Sequence, residues 1–432
     1  MSNKIFNNQE VISKNGVTTF KNIKDISSFS SDDIFTEGTK KYKFIGCKFD
    51  ENFEILVDET VKVDFIFEDC IFENFRCYGD GDLDIGFTFD KNCTFFKTFE
   101  FTNEMGKFNK KIYINDSKFE CNLEFNGNFS DGIRLRSLDF EEKYKITFMM
   151  NTVHNRGEYK NIVIQNIYAN LDTLDFTNIS INQLSIDNIE ALTKLKLQDI
   201  DFINDSKILF ENIQCKKLHI NNISQDVKKV EFNDIEVLEE FILERVDFKN
   251  TYFNDFDISK AKKVISKTSF IDAHLSDISW GDISTINANQ STFRQLKFVN
   301  DSQANYIEAN NFYMMEMKKY KQSLENKKGF SQEKVVFWLS ENISNFGQSW
   351  VKPLVLIVLT NISFYYIARI HQFCILNIEN LKCTIDSFVI FVGFKLPKEE
   401  FCGVLEWWLI NKIVVGILFY YLIIALKRKT KR

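Results

Sequence analysis

Proline is nearly absent from this chain of 432 residues: there are two, Pro353 and Pro397, both in the C-terminal quarter. Nothing before Pro353 is therefore interrupted by a residue that cannot donate to a strand ladder. Histidine is scarce as well. The four, His154, His219, His274 and His371, are isolated, with no Cys, His or Asp partner at metal or triad spacing. No glycine-rich phosphate loop occurs. The nine cysteines form no CxxC or Cys/His spacing, and their odd number argues against a disulfide framework. Met1 to Tyr42 lacks an apolar run, so no cleavable signal peptide is expected and the N-terminus is expected in the cytoplasm. These absences lead us to expect no catalytic residue, no cofactor and no metal site.

What is abundant is phenylalanine, 45 residues of it, set in a repeat. From Ile162 to Val246 one phrase recurs eight times: Ile162–Ile167, Leu174–Ile179, Leu184–Ile189, Leu195–Ile200, Ile208–Ile213, Leu218–Ile223, Val230–Ile235 and Phe241–Val246. Each copy reads apolar, any, apolar, polar, Asn/Asp/Arg, apolar. Period-2 alternation with a polar corner is a short strand and a turn. A fixed period means stacked units rather than one globular core. Asn166, Asn178, Asn188, Asn212 and Asn222 recur at one position of the phrase, which marks a structural role: bonding turn backbone or stacking in a ladder. Earlier units, starting at Tyr42, Phe65, Phe87 and Ile112, keep the beat less strictly. Two phrases make a coil of about 22 residues, and about twelve coils give a rod on the order of 55 Å. Cys47, Cys70 and Cys93 each stand two residues before a Phe and read, with Cys77, Cys121 and Cys215, as reduced packing residues.

After Phe248 the spacing tightens to five. Phe248, Phe253 and Ile258 are five apart, as are Phe270, Leu275 and Trp280; Phe248, Phe253, Phe270, Leu275 and Trp280 are expected to point inward. Ala273 before Leu275, Cys47 before Phe49 and Cys70 before Phe72 place a small residue two before a large one. These units resemble the pentapeptide-repeat family, over roughly residues 40 to 300. The resemblance implies a right-handed parallel β-helix with about four units per coil. The rod is acidic: from Ser331 onward there are 12 Lys/Arg against 7 Asp/Glu, while the whole chain carries −6. An acidic rod argues against nucleic acid binding. A soluble DNA mimic that binds gyrase, a kind known in that family, conflicts with the apolar segments that follow.

Tyr306, Ala309, Tyr313, Met317, Tyr320 and Leu324 lie on one face of a helix, and Ser331 offers an N-cap for a second helix through Val335, Trp338 and Ile343. Trp338 and Trp350 suit a membrane interface. Pro353 to Ile370 and Leu405 to Leu426 are apolar enough to span; Asn361 and Arg369 interrupt the first, and Arg369 can snorkel outward. Lys427-Arg428-Lys429-Thr430-Lys431-Arg432 marks the cytoplasmic side, and Trp407 and Trp408 would anchor the outer interface. Between the spans Ile385 to Leu396 is too short to cross. A potassium filter needs Thr-x-Gly-Tyr/Phe-Gly; here Val392-Gly393-Phe394 matches, but Lys395 stands in place of the second glycine. Val392, Gly393, Phe394, Lys395 and Lys412 are the candidate pore or loop residues. Lys412 lies about seven residues, roughly 10 Å, into the second run, where it either lines a pore or snorkels. Cys374 and Cys383 could pair if the loop between the spans faces an oxidising exterior.

The C-terminal block also resembles bacterial membrane proteins that join pentapeptide repeats to two C-terminal spans. The residues that carry this are Glu308-Ala309-Asn310, Phe312-Tyr313, Glu316-Met317, Ser344-Asn345-Phe346-Gly347, Pro353-Leu354 and Ala425-Leu426-Lys427-Arg428. The resemblance supplies architecture and not mechanism. The expected organisation is an N-terminal cap over 1–40, a solenoid over 41–302, an amphipathic helical linker over 303–350 and a two-helix transmembrane domain over 351–432. The expected location is the bacterial inner membrane, with the solenoid and the C-terminus cytoplasmic. The expected role is a non-enzymatic binding or scaffold protein; the alternative is a pore subunit with a cytoplasmic solenoid sensor. The partners implied are membrane lipids and a protein, with a homo-oligomer left open and no nucleic acid.

Overall fold

The computed structural model describes residues 11–430 except 15, 25, 27–28, 31–39, 51–52, 58–61, 80, 151–155, 169–170, 226–228, 272, 276, 326–330, 372–387, 390 and 394–404. The chain divides into two units, Met1–Gln295 and Leu296–Arg432.

The first unit is a parallel β-solenoid of about 10 turns. Its register climbs one coil at a time. Phe20 pairs with Phe44, then Phe67, Phe89, Ile114, Leu135, Ile164 and Ile186, each the Cα partner of the one before. Several of these steps exceed 22 residues, Leu135 to Ile164 most of all. The coils number about 10 and not the expected twelve. A hairpin of Val11–Lys14 against Val17–Lys21 runs antiparallel, and Val17–Lys21 already pairs in parallel with Lys41–Ile45. The ladder therefore reaches into the segment that the sequence assigns to the cap, and the hairpin covers its end strand.

The repeat phrase explains the coil. In all eight copies the first, third and sixth residues are buried, as with Leu184, Ile186 and Ile189. The fifth residue is left-handed in every copy. Asn166, Asn178 and Asn188 have φ 55°, Asp199 and Arg245 have 53°, and Asn212, Asn222 and Asp234 have 52°. One left-handed residue turns the chain at the corner and returns the next side chain to the inside. Asn and Asp tolerate that conformation best among residues with a side chain. Their amides also link coils: Asn188 Nδ2 donates to Asn166 Oδ1 at 2.9 Å, and Asn222 Nδ2 donates to Asp199 Oδ1 at 2.6 Å.

Arg245 is the one member of this series that is neither Asn nor Asp. A long side chain held left-handed costs about 1–2 kcal/mol, less for Asn. Arg245→Asn should therefore stabilise the solenoid by roughly 0.5–1 kcal/mol. Denaturant titration checks this, and a fall in stability would mean that Arg245 makes a contact worth more than the strain.

Inside, identical rings stack from coil to coil. Phe49, Phe72, Phe95, Phe119 and Phe140 form one column with centroid separations of 4.5, 4.8, 4.7 and 5.6 Å. Cys47, Cys70 and Cys93 stack beside it, buried and unoxidised. Their thiols donate to the carbonyls of Phe20, Phe44 and Phe67 in the coil before. Burial pushes the Cys121 and Cys215 thiols up to about 12, so they stay protonated. Phe248, Phe253, Ile258, Phe270, Leu275 and Trp280 are all buried, as the five-residue spacing requires.

The second unit is helical. A helix the sequence pattern did not announce, α1 (Gln290–Ser302), leads into it, with Asn289 Oδ1 accepting from Thr292 N at 2.8 Å at its start. Then come α2 (Tyr306–Glu325) and α3 (Gln332–Ser344). Ser331 is the N-cap of α3, its hydroxyl accepting from Glu333 N at 3.2 Å. On α2, Ala309 and Leu324 are buried as expected, but Phe312, Met315 and Glu316 are buried more deeply than Tyr313, Met317 or Tyr320. The inward face is thus rotated from the expected one. The last two helices, α4 (Val351–His371) and α5 (Leu405–Thr430), are both long and apolar enough to cross a membrane. Ile343 of α3, Ile357 of α4 and Val415, Leu418 and Leu422 of α5 form their shared core.

Candidate functional site

Two polar constellations stand out in the helical unit. The first lies along α4 and α5. Asn411 is fully buried and donates through Nδ2 to Asn361 Oδ1 at 3.0 Å; Asn361 Nδ2 in turn donates to the Ile357 carbonyl at 2.8 Å. An amide pair inside apolar surroundings ties two helices together, by about 0.6 kcal/mol and up to about 1.7 in lipid. Asn361 was visible as an interruption of the first apolar run, and Asn411 sits next to Lys412. Neither had a partner in the sequence pattern.

Lys412 is half-buried, and its ammonium donates to the carbonyl oxygens of Phe391 at 3.0 Å and Val392 at 2.7 Å. It also lies 5.4 Å from the Trp408 ring centroid. Residues 388–389 and 391–392 are helical, and Gly393 N donates to the Val389 carbonyl at 2.9 Å. Val392 and Gly393 therefore close a helical turn whose last carbonyls meet a lysine. A filter needs extended backbone with successive carbonyls aimed at the ion. Tyr365 packs on Phe388 and Phe391 at 5.2 and 5.8 Å, in one cluster with Trp407 and Trp408. Of the candidate pore or loop residues, Val392, Gly393 and Lys412 are brought together. Phe394 and Lys395 lie outside the described residues, as do Cys374 and Cys383.

The second constellation gathers residues far apart in the chain. Arg428, near the end of α5, donates to the carbonyl of Phe346 and lies 4.0 Å from the Tyr313 ring centroid. Asn310 Nδ2 donates to the Arg428 carbonyl at 3.2 Å, and Gln348 Nε2 donates to the Asn310 carbonyl at 2.7 Å. The loop after α3 makes this approach feasible. Asn345, Phe346 and Gly347 are all left-handed, with φ of 48°, 54° and 82°. A Cβ on Gly347 would sit 2.8 Å from Arg428 Nη1. Glycine thus serves both the turn and the close approach of the guanidinium. The segments around Asn310, Tyr313, Asn345–Gly347 and Arg428 are among those that carry the resemblance to two-span membrane proteins. In the sequence they are separate short segments; the fold brings them together.

In the solenoid, His219 Nε2 lies 3.0 Å from Glu240 Oε2 of the next coil. Burial lowers the His219 pKa despite that carboxylate, so the imidazole is neutral at pH 7. His274 stacks on Tyr252 at 4.2 Å, and His154 lies outside the described residues. Lys263 takes an inward position beside Phe241, where its ammonium donates to the Ala261 carbonyl at 2.9 Å. Among the described residues no group of three or more His, Cys, Asp and Glu could hold a metal. No protein-family model, no curated protein and no solved structure matches this chain.

Proposed function

We propose that this protein is a membrane-anchored β-solenoid that serves as a non-enzymatic binding scaffold at the cytoplasmic face of a bacterial inner membrane. In this reading α4 and α5 cross the bilayer as a hairpin. Two crossings return the chain to its starting side, and the Lys427–Lys429 end of α5 makes that side cytoplasmic. Exposed Val335, Val336 and Trp338 on α3 and exposed Trp350 suit the same interface. The rod, with its five-residue units, is assigned to the pentapeptide-repeat type of solenoid and offers a long regular surface to a protein partner.

The observation that carries the anchor over the pore is the seat of Lys412. Its ammonium occupies the carbonyl oxygens of Phe391 and Val392, so a tethered cation already holds the acceptors that a permeant cation would need. Purified protein in planar bilayers should therefore show no unitary currents. Lys412→Gln should remain silent while inserting normally. It removes a charge-assisted hydrogen bond and so costs roughly 1.5–3 kcal/mol of stability. Discrete currents in the wild type whose ion preference changes in Lys412→Glu would replace the scaffold by the pore.

A further inference from the structure

The hub around Arg428 opens onto a cavity of about 210 Å³. Its wall is made by the first turns of α2, the Gly347-Gln348 loop and the last turn of α5. That is smaller than the roughly 300–1,000 Å³ of sites that enclose drug-sized molecules. It suits a headgroup fragment. Arg428 and Lys429 are both in the lining and no carboxylate is, while Asn310, Asn311 and Gln348 add amides. At the rim Ile307 is 72 % exposed, an apolar side chain open to solvent beside two cations.

The cations belong to the end of an apolar helix long enough to cross a bilayer. If α5 spans, that end lies at the level of lipid headgroups, where basic pockets meet anionic lipid. The guanidinium has five N–H donors, and the Phe346 carbonyl takes one of them. The cavity therefore brings cationic donors and an exposed apolar side chain into one lining. A diffusing anion would use the cations alone. A lipid would use both.

We propose that this pocket holds the phosphate of an anionic phospholipid headgroup of the cytoplasmic leaflet, with Arg428 and Lys429 as its cations and Ile307 against the glycerol and upper acyl region. The site rests on the reading of α5 as a membrane span. It makes Lys429 distinct from Lys427, its neighbour two residues earlier: both are exposed, but only Lys429 lines the pocket.

The full chain is purified in mild detergent and titrated with phosphatidylglycerol, and bound lipid is counted by native mass spectrometry. Lys429→Ala should weaken retention roughly tenfold, the loss of one charge-assisted contact. Asn311→Ala should weaken it in the same direction, and Lys427→Ala should leave it unchanged. Equal losses from Lys427→Ala and Lys429→Ala would mean attraction to a basic tail and would overturn the pocket. Unchanged lipid retention in Lys429→Ala, with Lys429-dependent binding of inorganic phosphate, would overturn the lipid assignment. Alkaline carbonate extraction tests the span separately. A chain released by carbonate removes the anchor and the lipid site together, whereas a chain that stays in the membrane but holds lipid independently of Lys429 overturns the lipid site alone.

Discussion

Phe95→Asp should unfold the coils on either side of it. The Phe95 ring is fully buried between Phe72 at 4.8 Å and Phe119 at 4.7 Å, nearly parallel to both, and it meets Phe99 edge-on at 4.8 Å. Removing it forfeits about 1.5–3 kcal/mol of burial and the ring contacts, about 0.5–1.5 kcal/mol each. Aspartate would then place a carboxylate where the neighbours are rings and thiols, so the total should exceed about 4–5 kcal/mol. A solenoid is coupled mainly between adjacent coils. The damage should therefore be local in sequence: the coils around Phe95 should open to protease first, while those around Ile186 and Phe232 stay protected. Phe95→Leu keeps the site apolar and should lose about half as much or less. Urea titration with limited proteolysis checks both, and an Asp variant within about 1 kcal/mol of the wild type would mean that the Phe column does not hold these coils together.

That column was legible because it is periodic. One side chain every coil, at the same point of each phrase, leaves a signal that adds up along the chain. The corner residues were legible for the same reason, since the fifth position of the phrase is chosen for a backbone conformation that few residues accept. What periodicity could not show is where it stops. α1 buries Phe293, Leu296 and Val299 at helical spacing, but these follow directly on five-residue units and carry only three beats of a new period. Coil number was overestimated in part because residues 290–302, counted as solenoid, form α1, and in part because some steps, such as Leu135 to Ile164, exceed 22 residues. In the helical unit the polar residues were visible and their partners were not. Lys412 stood out by depth in an apolar run, yet its partners are backbone carbonyls that any residue could supply. Arg428 meets Tyr313 and Phe346 across more than eighty positions, and no repeat links them.

Gly347→Val should be the most damaging single change in the helical unit. Gly347 has φ 82°, which a β-branched residue adopts at a cost of about 1–2 kcal/mol or more. The new side chain would also begin 2.8 Å from Arg428 Nη1 and 3.1 Å from its Cδ. An arginine tip usually moves aside cheaply. Here the guanidinium is held by the Phe346 carbonyl and lies on the Tyr313 ring, so moving it loses a charge-assisted hydrogen bond of roughly 1.5–3 kcal/mol and a cation–π contact of about 0.5–1. The sum is about 3–6 kcal/mol, read as thermal unfolding of the full chain in detergent. Arg428→Leu alone should cost the second part and not the first. The two changes should therefore fall short of additivity by about 2–4 kcal/mol in a double-mutant cycle, because the guanidinium that the new valine side chain displaces is already gone. Full additivity would show that Gly347 serves the turn alone, and would remove Arg428 as the residue that fastens the end of α5 to the loop after α3.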